Sequence, residues 1–257
     1  MLLLFAILLI IIFKIVIKPI YLYYFLRKLK LSTSDCIFLE NNFSFYKKLS
    51  EGKKIFFNYR VATFMNKYQI IGQGGFVITD EVRLLLAATF VMLTFGMKNY
   101  LIDNFNKIII YSENYYSLIT KQYHKGEFNP ALKAIVFSWK DFKEGLRFEN
   151  DNLNLGLHEF AHAVYFHGLN SSDESSLVFS NFYTKIQEYL VRPNIMHQLV
   201  MSNYFRIYAY TNQAEFLAVV LEHFFETPHI FKEEFPELFA YVKDMINFDE
   251  NDLIYSI

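Results

Sequence analysis

Two histidines stand four residues apart in an apolar stretch of this chain, and they limit the local structure to a helix that holds both imidazoles on one side. The segment Leu157 to His162 reads Leu-His-Glu-Phe-Ala-His, and the pattern around it predicts a helix over 150–167. Residues four apart on a helix lie one turn apart on the same face. Asp151 or Asn152 can cap this helix at its start. Its buried face is predicted to consist of apolar side chains at helical spacing, namely Leu153, Leu157, Ala161 and Val164.

The imidazoles of His158 and His162 can therefore bind one metal ion, and Glu159 lies beside the first of them. Two nitrogen ligands on a rigid helix suit a tetrahedral zinc ion (Zn²⁺), and they leave positions for a third protein ligand and a water. Glu159 can take a proton from that water and pass it to a leaving amine. The spacing therefore predicts a zinc site in which Glu159 is the general base.

The third metal ligand has to come from another segment of the chain. His167 is nine residues after His158 and therefore points to the opposite side of the helix. Glu215 is the best candidate, because it is a carboxylate near the start of a strongly apolar helix predicted over 212–226. A buried acid needs a partner, and a metal ion is one. The alternative for Glu215 is an acid that stabilises the dipole of the helix from its first turn.

Two other carboxylates stay open as the third ligand. Glu222 follows Glu215 by seven residues, two turns along the same face, and it is predicted to orient a ligand histidine from behind. Glu127 and His124 are predicted in a loop between two strands, where Glu127 lines the cleft. Three more histidines are predicted to be surface or packing residues, namely His197, His223 and His229.

Three segments carry a family resemblance: His158-Glu159-Phe160-Ala161-His162, Tyr208-Ala209-x-Thr211-Asn212-x-Ala214-Glu215-Phe216 and Phe224-Phe225-x-x-Pro228. Together they resemble the Mlc titration factor A family of zinc-dependent peptidases, over most of residues 43–250. The best-known member of that family is a cytosolic peptidase that binds the glucose repressor Mlc. The resemblance therefore implies a peptide or protein substrate, and a transcriptional regulator as a further partner.

The same resemblance implies a gluzincin-like site in which the zinc ligands are His158, His162 and Glu215. It also implies that Glu159 is the general base and that the Tyr208 hydroxyl donates to the oxyanion of the tetrahedral intermediate. The implied fold is a zincin-like catalytic domain that is mainly helical and has a small β-sheet.

The chain beyond the N-terminal segment is predicted as one α+β domain, 27–257, that is mainly helical. β-Branched runs predict strands at 107–111 and 134–139. Thr79 and Asp80 can cap a helix that runs to about Phe95. Phe43 to Lys67 is predicted to be helical with short breaks, and residues 72–75 are predicted to form a turn.

Residues 1–26 are predicted to form a transmembrane anchor. They are apolar and aromatic except for Lys14 and Lys18, and they reach the roughly 20 residues that a bilayer span needs. The basic residues follow the apolar stretch, so the positive-inside rule predicts a single-pass protein of the inner (cytoplasmic) membrane whose catalytic domain faces the cytoplasm. A cleaved signal peptide and a buried N-terminal helix are the alternatives.

Composition excludes several classes of protein. The single cysteine excludes a disulfide scaffold and a cysteine-based zinc or iron–sulfur site, and the net charge of −1 gives no indication of nucleic acid as a partner. The sequence thus predicts a membrane-anchored zinc peptidase. One alternative is a membrane quality-control protease, which usually has several spans. The other is a binding module that sequesters a transcriptional regulator.

Overall fold

The fold is described by a computed structural model that covers residues 30–117 and 121–253. Helices make up most of this part of the chain. Their bounds are α1 Thr33–Asn42, α2 Ser44–Lys47, α3 Glu51–Lys67, α4 Asp80–Leu93, α5 Trp139–Arg147, α6 Leu155–Asn170, α7 Glu174–Leu190, α8 Ile195–Met201, α9 Gln213–Glu226, α10 Pro228–Glu234 and α11 Pro236–Met245, with 3₁₀ turns at Ile207–Tyr210 and Glu250–Asp252.

The strands form two small sheets. Their bounds are β1 Gln69–Gly72, β2 Lys107–Tyr111, β3 Tyr115–Ser117, β4 Gln122–His124, β5 Gly126–Asn129 and β6 Ala134–Ser138. The larger sheet has the order β1-β2-β6-β5, in which β1, β2 and β6 run parallel and β5 runs antiparallel to β6. The smaller sheet pairs β3 with β4. Strand β5 therefore forms one edge of the four-stranded sheet.

The predicted mainly helical α+β class with a small sheet is confirmed. Helix α4 begins where Thr79 was predicted to cap it, and the Thr79 side chain accepts from the Val82 backbone N–H. The predicted strand at 107–111 is confirmed as β2. The strand predicted over 134–139 ends one residue early, because Ser138 caps the next helix and Trp139 is already helical.

The core surrounds one face of α6 and fixes that helix in place. Phe160 is fully buried, and its ring centroid lies 5.2 Å from those of both Phe90 on α4 and Phe137 on β6. Phe64 on α3 extends the same aromatic cluster. Since Phe160 lies between the two histidines in sequence, its burial turns the histidine-bearing side of α6 away from this cluster.

The described residues contain no helix that combines the length and the apolar character needed to cross a bilayer. The anchor predicted at residues 1–26 lies outside the described residues.

Candidate metal centre

Helix α6 carries the histidine pair, and its start differs from the prediction. The helix begins at Leu155 rather than near 150, and its cap is Asn154, whose side-chain oxygen accepts from the Leu157 backbone N–H at 3.0 Å. Asn152 is not the cap because it lies two residues before Asn154, in a turn where its backbone is left-handed, with φ of 57°. Asp151 instead accepts from the Leu153 backbone N–H within the preceding turn.

Three side chains from two helices converge beside α6. The Nε2 atoms of His158 and His162 lie 3.2 Å apart, and Glu215 Oε2 on α9 lies 2.9 Å from the first and 3.3 Å from the second. Asn212 starts α9 by accepting from the Ala214 and Glu215 backbone N–H groups, which places Glu215 in the first turn. These three residues form the one His/Cys/Asp/Glu cluster with metal-binding spacing in the described residues.

The spacing of these three atoms fits a metal ion better than it fits hydrogen bonds alone. Ligands at 2.0–2.1 Å from a tetrahedral zinc ion are separated from one another by about 3.3 Å. Glu215 Oε2 is buried and has no hydrogen bond of acceptable angle among the described residues, although two imidazole nitrogens lie close to it. An unsatisfied buried carboxylate oxygen facing two imidazole nitrogens is what a metal ion would satisfy.

The carboxylates around the histidines favour positive charge at this point. Burial lowers the pKa of His158, but Glu215 and Glu222 outweigh it and raise that pKa to about 9. Burial likewise raises the pKa of Glu215, yet the two histidines outweigh it and hold the pKa well below its usual range. A cluster that stabilises a proton in this way also suits a metal cation, which competes for the same nitrogen atoms.

Glu222 lies behind His158, on the side away from Glu215. Its Oε1 atom is 2.6 Å from His158 Nδ1, and its side chain is only 1% exposed. The Asn154 backbone N–H donates to the other carboxylate oxygen at 3.0 Å. Glu222 can therefore fix the tautomer of His158, so that the Nε2 atom is free to bind a metal.

Arg206 completes this arrangement, and it was not predicted from the sequence. Its guanidinium donates to both oxygens of Glu222, at 2.6 and 3.0 Å, and to the Asn152 carbonyl at 2.6 Å. The buried charge of Glu222 is thus paired and hydrogen-bonded. The available signal was an arginine flanked by the apolar Phe205 and Ile207 in the segment before Tyr208.

Glu159 points into a narrow gap between α6 and β5. It is 7% exposed, and burial raises the pKa of its carboxyl. The Phe128 backbone N–H of β5 donates to it. A Cβ atom on Gly126 would lie 2.7 Å from Glu159 Cγ, so β5 can approach this closely only because that position is glycine. The edge strand therefore forms one wall around Glu159.

Tyr208 lies in the 3₁₀ turn before α9 and borders the same site. Its ring centroid is 6.0 Å from that of His158, and the residue is 46% exposed. Burial of the hydroxyl and the neighbouring Glu215 carboxylate raise the pKa of Tyr208 to about 12. The hydroxyl therefore stays protonated and can donate a hydrogen bond at the open side of the site.

The alternative third ligands lie elsewhere. The loop predicted for His124 and Glu127 is wrong, because these residues belong to strands β4 and β5. Glu127 accepts from the Tyr115 hydroxyl at 3.3 Å and from Asn129 at 3.0 Å, and it is not part of the triad. The β-branched and aromatic residues expected of a strand are few in Gly-Glu-Phe-Asn, so β5 gave little signal.

The remaining histidines lie apart from the triad. His167 points away, as predicted, and its Nε2 atom is 2.8 Å from Asp173 Oδ2. His223 is buried against the rings of Tyr204 and Phe205, and burial lowers its pKa to about 4. It is therefore a neutral packing residue, and His197 is exposed.

Similarity to known proteins gives separate evidence on the class of this protein. The chain is similar to a protein of Synechocystis sp. described as uncharacterized, with 25% identity over 203 residues that cover 73% of this chain and 74% of the other. The family of glucose-regulated metallo-peptidases, M90, matches residues 24–246, which include the triad, Glu159 and Tyr208. This match confirms the family resemblance found from the motifs, and it implies a metal ion as cofactor. The chain belongs to the glucose-regulated metallo-peptidase M90 family.

Proposed function

We propose that this protein is a zinc-dependent peptidase that hydrolyses peptide bonds, with His158, His162 and Glu215 as the residues that would hold the ion. The observation that carries the proposal is the convergence of the two Nε2 atoms and one carboxylate oxygen within 3.3 Å of one another. Two nitrogen donors and one oxygen donor match the catalytic sites in which zinc keeps one position open.

A bound zinc ion would supply Lewis acidity, polarising the scissile carbonyl and lowering the pKa of water. Glu159 is the group in this chain that moves the proton. Its carboxylate takes the proton from the attacking water and delivers it to the nitrogen of the leaving amine. The wall of β5 and the Phe128 N–H hold this carboxylate in one orientation, which supports that role.

Tyr208 is proposed to stabilise negative charge on the substrate. Its protonated hydroxyl at the open side of the site can donate to the carbonyl oxygen as charge develops there. Such a donor stabilises the transition state only to the extent that the bound substrate excludes water from the open side of the site.

The outer edge of β5 is the proposed binding site for the substrate backbone. β5 is an edge strand, and Gly126 and Phe128 at alternate positions face Glu159. An extended peptide can add to such an edge through main-chain hydrogen bonds. Binding in this way would place a peptide bond of the substrate beside Glu159, regardless of the side chains of the substrate.

We also propose that residues 1–26 anchor the enzyme in the cytoplasmic membrane as a single pass, with the catalytic domain 27–257 on the cytoplasmic side. The family match begins at residue 24, so nearly all of the apolar segment lies outside the family's span. Membrane fractionation and a C-terminal reporter fusion test this. Recovery of the full chain in the soluble fraction, or a reporter active only outside the cytoplasm, would contradict it.

The test of the peptidase proposal compares zinc content with hydrolysis in the full chain. We expect about one zinc per wild-type chain by elemental analysis, with Glu215→Ala losing it. Glu159→Gln should keep zinc and lose about 10²–10⁴-fold in the rate of hydrolysis of a fluorogenic peptide library, because proton transfer is lost. The control is Glu127→Gln, whose carboxylate contacts Tyr115 and Asn129 rather than the triad.

Glu127→Gln should retain zinc, because Glu127 is not part of the triad. Near-wild-type hydrolysis by Glu159→Gln would exclude the proposed general base. Loss of zinc in Glu127→Gln but not in Glu215→Ala would show that the third ligand is Glu127 rather than Glu215. A zinc-loaded wild type without hydrolysis of any peptide would favour a binding module that captures a transcriptional regulator.

A further inference from the structure

A cavity lies beside the start of α6, and it is distinct from the metal centre. Its volume is about 360 Å³, within the range of small-molecule sites. It shares no lining residue with the His158–His162–Glu215 triad. The cap residue Asn154 and Leu157 of α6 form one side. The rest is lined by residues of helices α1, α2, α4, α5, α9, α10 and α11 and by the segment 248–253.

Phenyl rings dominate the wall of this cavity. They come from segments far apart in sequence, namely Phe43, Phe45, Phe224, Phe225, Phe239 and Phe248. Several are in contact with one another, for example Phe225 with Phe248 at 5.9 Å and Phe224 with Phe239 at 5.0 Å between centroids. Aromatic faces carry negative partial charge and attract cations as well as apolar groups.

Glu226 is a carboxylate in the lining of this aromatic cavity, at the last position of α9. It accepts from the Asn152 backbone N–H at 2.8 Å and from the Asn154 side chain at 3.1 Å. Among the described residues it forms no ion pair with a basic side chain, and burial raises its pKa to about 7. A carboxylate in this environment gains from any cation that enters the cavity.

The other charged groups of the lining lie towards solvent or are already paired. Glu250 forms ion pairs with Lys232 and Lys243. Glu149 is exposed and accepts from the Ser44 hydroxyl, and the two basic groups of the lining, Lys48 and His229, are also exposed. Among the described residues, Glu226 is therefore the carboxyl group in the partly buried lining that has no basic partner.

We propose that this cavity is a binding site for a small organic cation with an apolar body, such as an arylalkylamine. The ammonium group pairs with the Glu226 carboxylate, and the apolar body packs against the phenyl rings of α9 and α2. The cavity volume suits such a molecule, and both the charge and the aromatic lining select a cation over an anion. This site is additional to the proposed peptidase activity and does not depend on it.

The test titrates the zinc-loaded, full-length protein with 2-phenylethylamine by isothermal titration calorimetry. The neutral and anionic probes of similar shape are 2-phenylethanol and 3-phenylpropanoate. We expect the amine to bind at least about tenfold more tightly than either, which corresponds to about 1.4 kcal/mol. Glu226→Gln should weaken amine binding about tenfold or more and leave 2-phenylethanol unchanged.

Two control variants locate the site. Glu144→Gln removes a carboxylate of α5 that does not line the cavity, and His162→Ala disrupts the metal centre. Both should keep amine affinity within about twofold of the wild type. Loss of binding in His162→Ala with full binding in Glu226→Gln would place the amine at the metal centre and overturn the proposal.

Equal affinity for the three probes, or no heat with the amine, would also overturn the proposal. If Glu226→Gln fails to fold, the probe series on the wild type and on His162→Ala still decides between the outcomes. The zinc content measured in parallel reports on the peptidase proposal separately, since the cavity and the triad share no residue.

Discussion

Arg206 and Glu222 form a pair in which the guanidinium donates to both carboxylate oxygens. Glu222 is 1% exposed, so removal of Arg206 leaves a buried charge without its counter-ion next to His158. We expect Arg206→Ala to lower zinc affinity by about 10–100-fold, because His158 loses the support that fixes its tautomer and orientation. Competition with a chromogenic chelator measures this affinity.

The matched control is Arg192→Ala, which removes an ion pair with Glu237 in which both side chains are about half exposed. It should leave zinc affinity unchanged and alter stability by less than about 1 kcal/mol. Arg206→Lys keeps the charge but not the paired hydrogen bonds, so an intermediate zinc affinity is expected. Wild-type affinity in Arg206→Ala would show that Glu222 orients His158 without a counter-ion.

At the level of single residues, spacing along a helix explains which parts of the site could be predicted. His158 and His162 share a face of α6, while Glu215 and Glu222 are two turns apart on α9, and these relations depend on local geometry alone. Arg206 could not be found in this way. Its contact with Glu222 depends on how the turn before α9 folds back onto that helix, which no local periodicity encodes.

The proposed role of Glu159 depends on the close approach of strand β5 to helix α6. A Cβ atom at position 126 would lie 2.7 Å from Glu159 Cγ and 2.8 Å from its Oε1 atom. We therefore expect Gly126→Ala to push the Glu159 carboxylate aside and to reduce kcat/KM about tenfold or more, with zinc retained. Peptide hydrolysis and elemental analysis on the same preparation measure both quantities.

Gly52→Ala is the control for this substitution, since a Cβ there meets nothing within 4 Å. Gly52 lies in the first turn of α3, where alanine should be neutral or stabilising by about 0.5–1 kcal/mol. Full activity in Gly126→Ala would mean that β5 can move away from α6 without cost to Glu159.

Elements with strong local signals were predicted well, and those that depend on pairing were not. Helix α4 has a threonine cap and an apolar body, and β2 is a run of isoleucines, so both were predicted close to their observed bounds. Strands β1 and β5 are four residues each and contain glycine, and they exist because β2 and β6 pair with them. The start of α6 was misplaced because several polar residues in succession could each serve as its cap.

At the scale of the whole molecule, Glu226 connects the aromatic cavity to the stability of the fold. Burial raises its pKa from 4.5 to about 7, with Asp151 and Glu222 as further negative neighbours. Between pH 4.5 and pH 7, Glu226 is therefore protonated in the folded chain but has already lost its proton in the unfolded chain. The free energy of unfolding gained from this group is present at low pH and is lost as the pH rises through 7.

Glu226→Gln cannot release this proton, so its stability should not show that loss. We expect the free energy of unfolding of the wild type, relative to the variant, to fall by about 3 kcal/mol between pH 4.5 and pH 8. Urea unfolding of both proteins at matched pH, with chelator present throughout, measures the difference and cancels the contribution of the histidines.

Glu233→Gln, at an exposed glutamate of α10, should instead track the wild type at every pH. A constant difference between wild type and Glu226→Gln across this range would show that Glu226 has the same pKa in the folded and the unfolded chain, and that the cavity does not raise it.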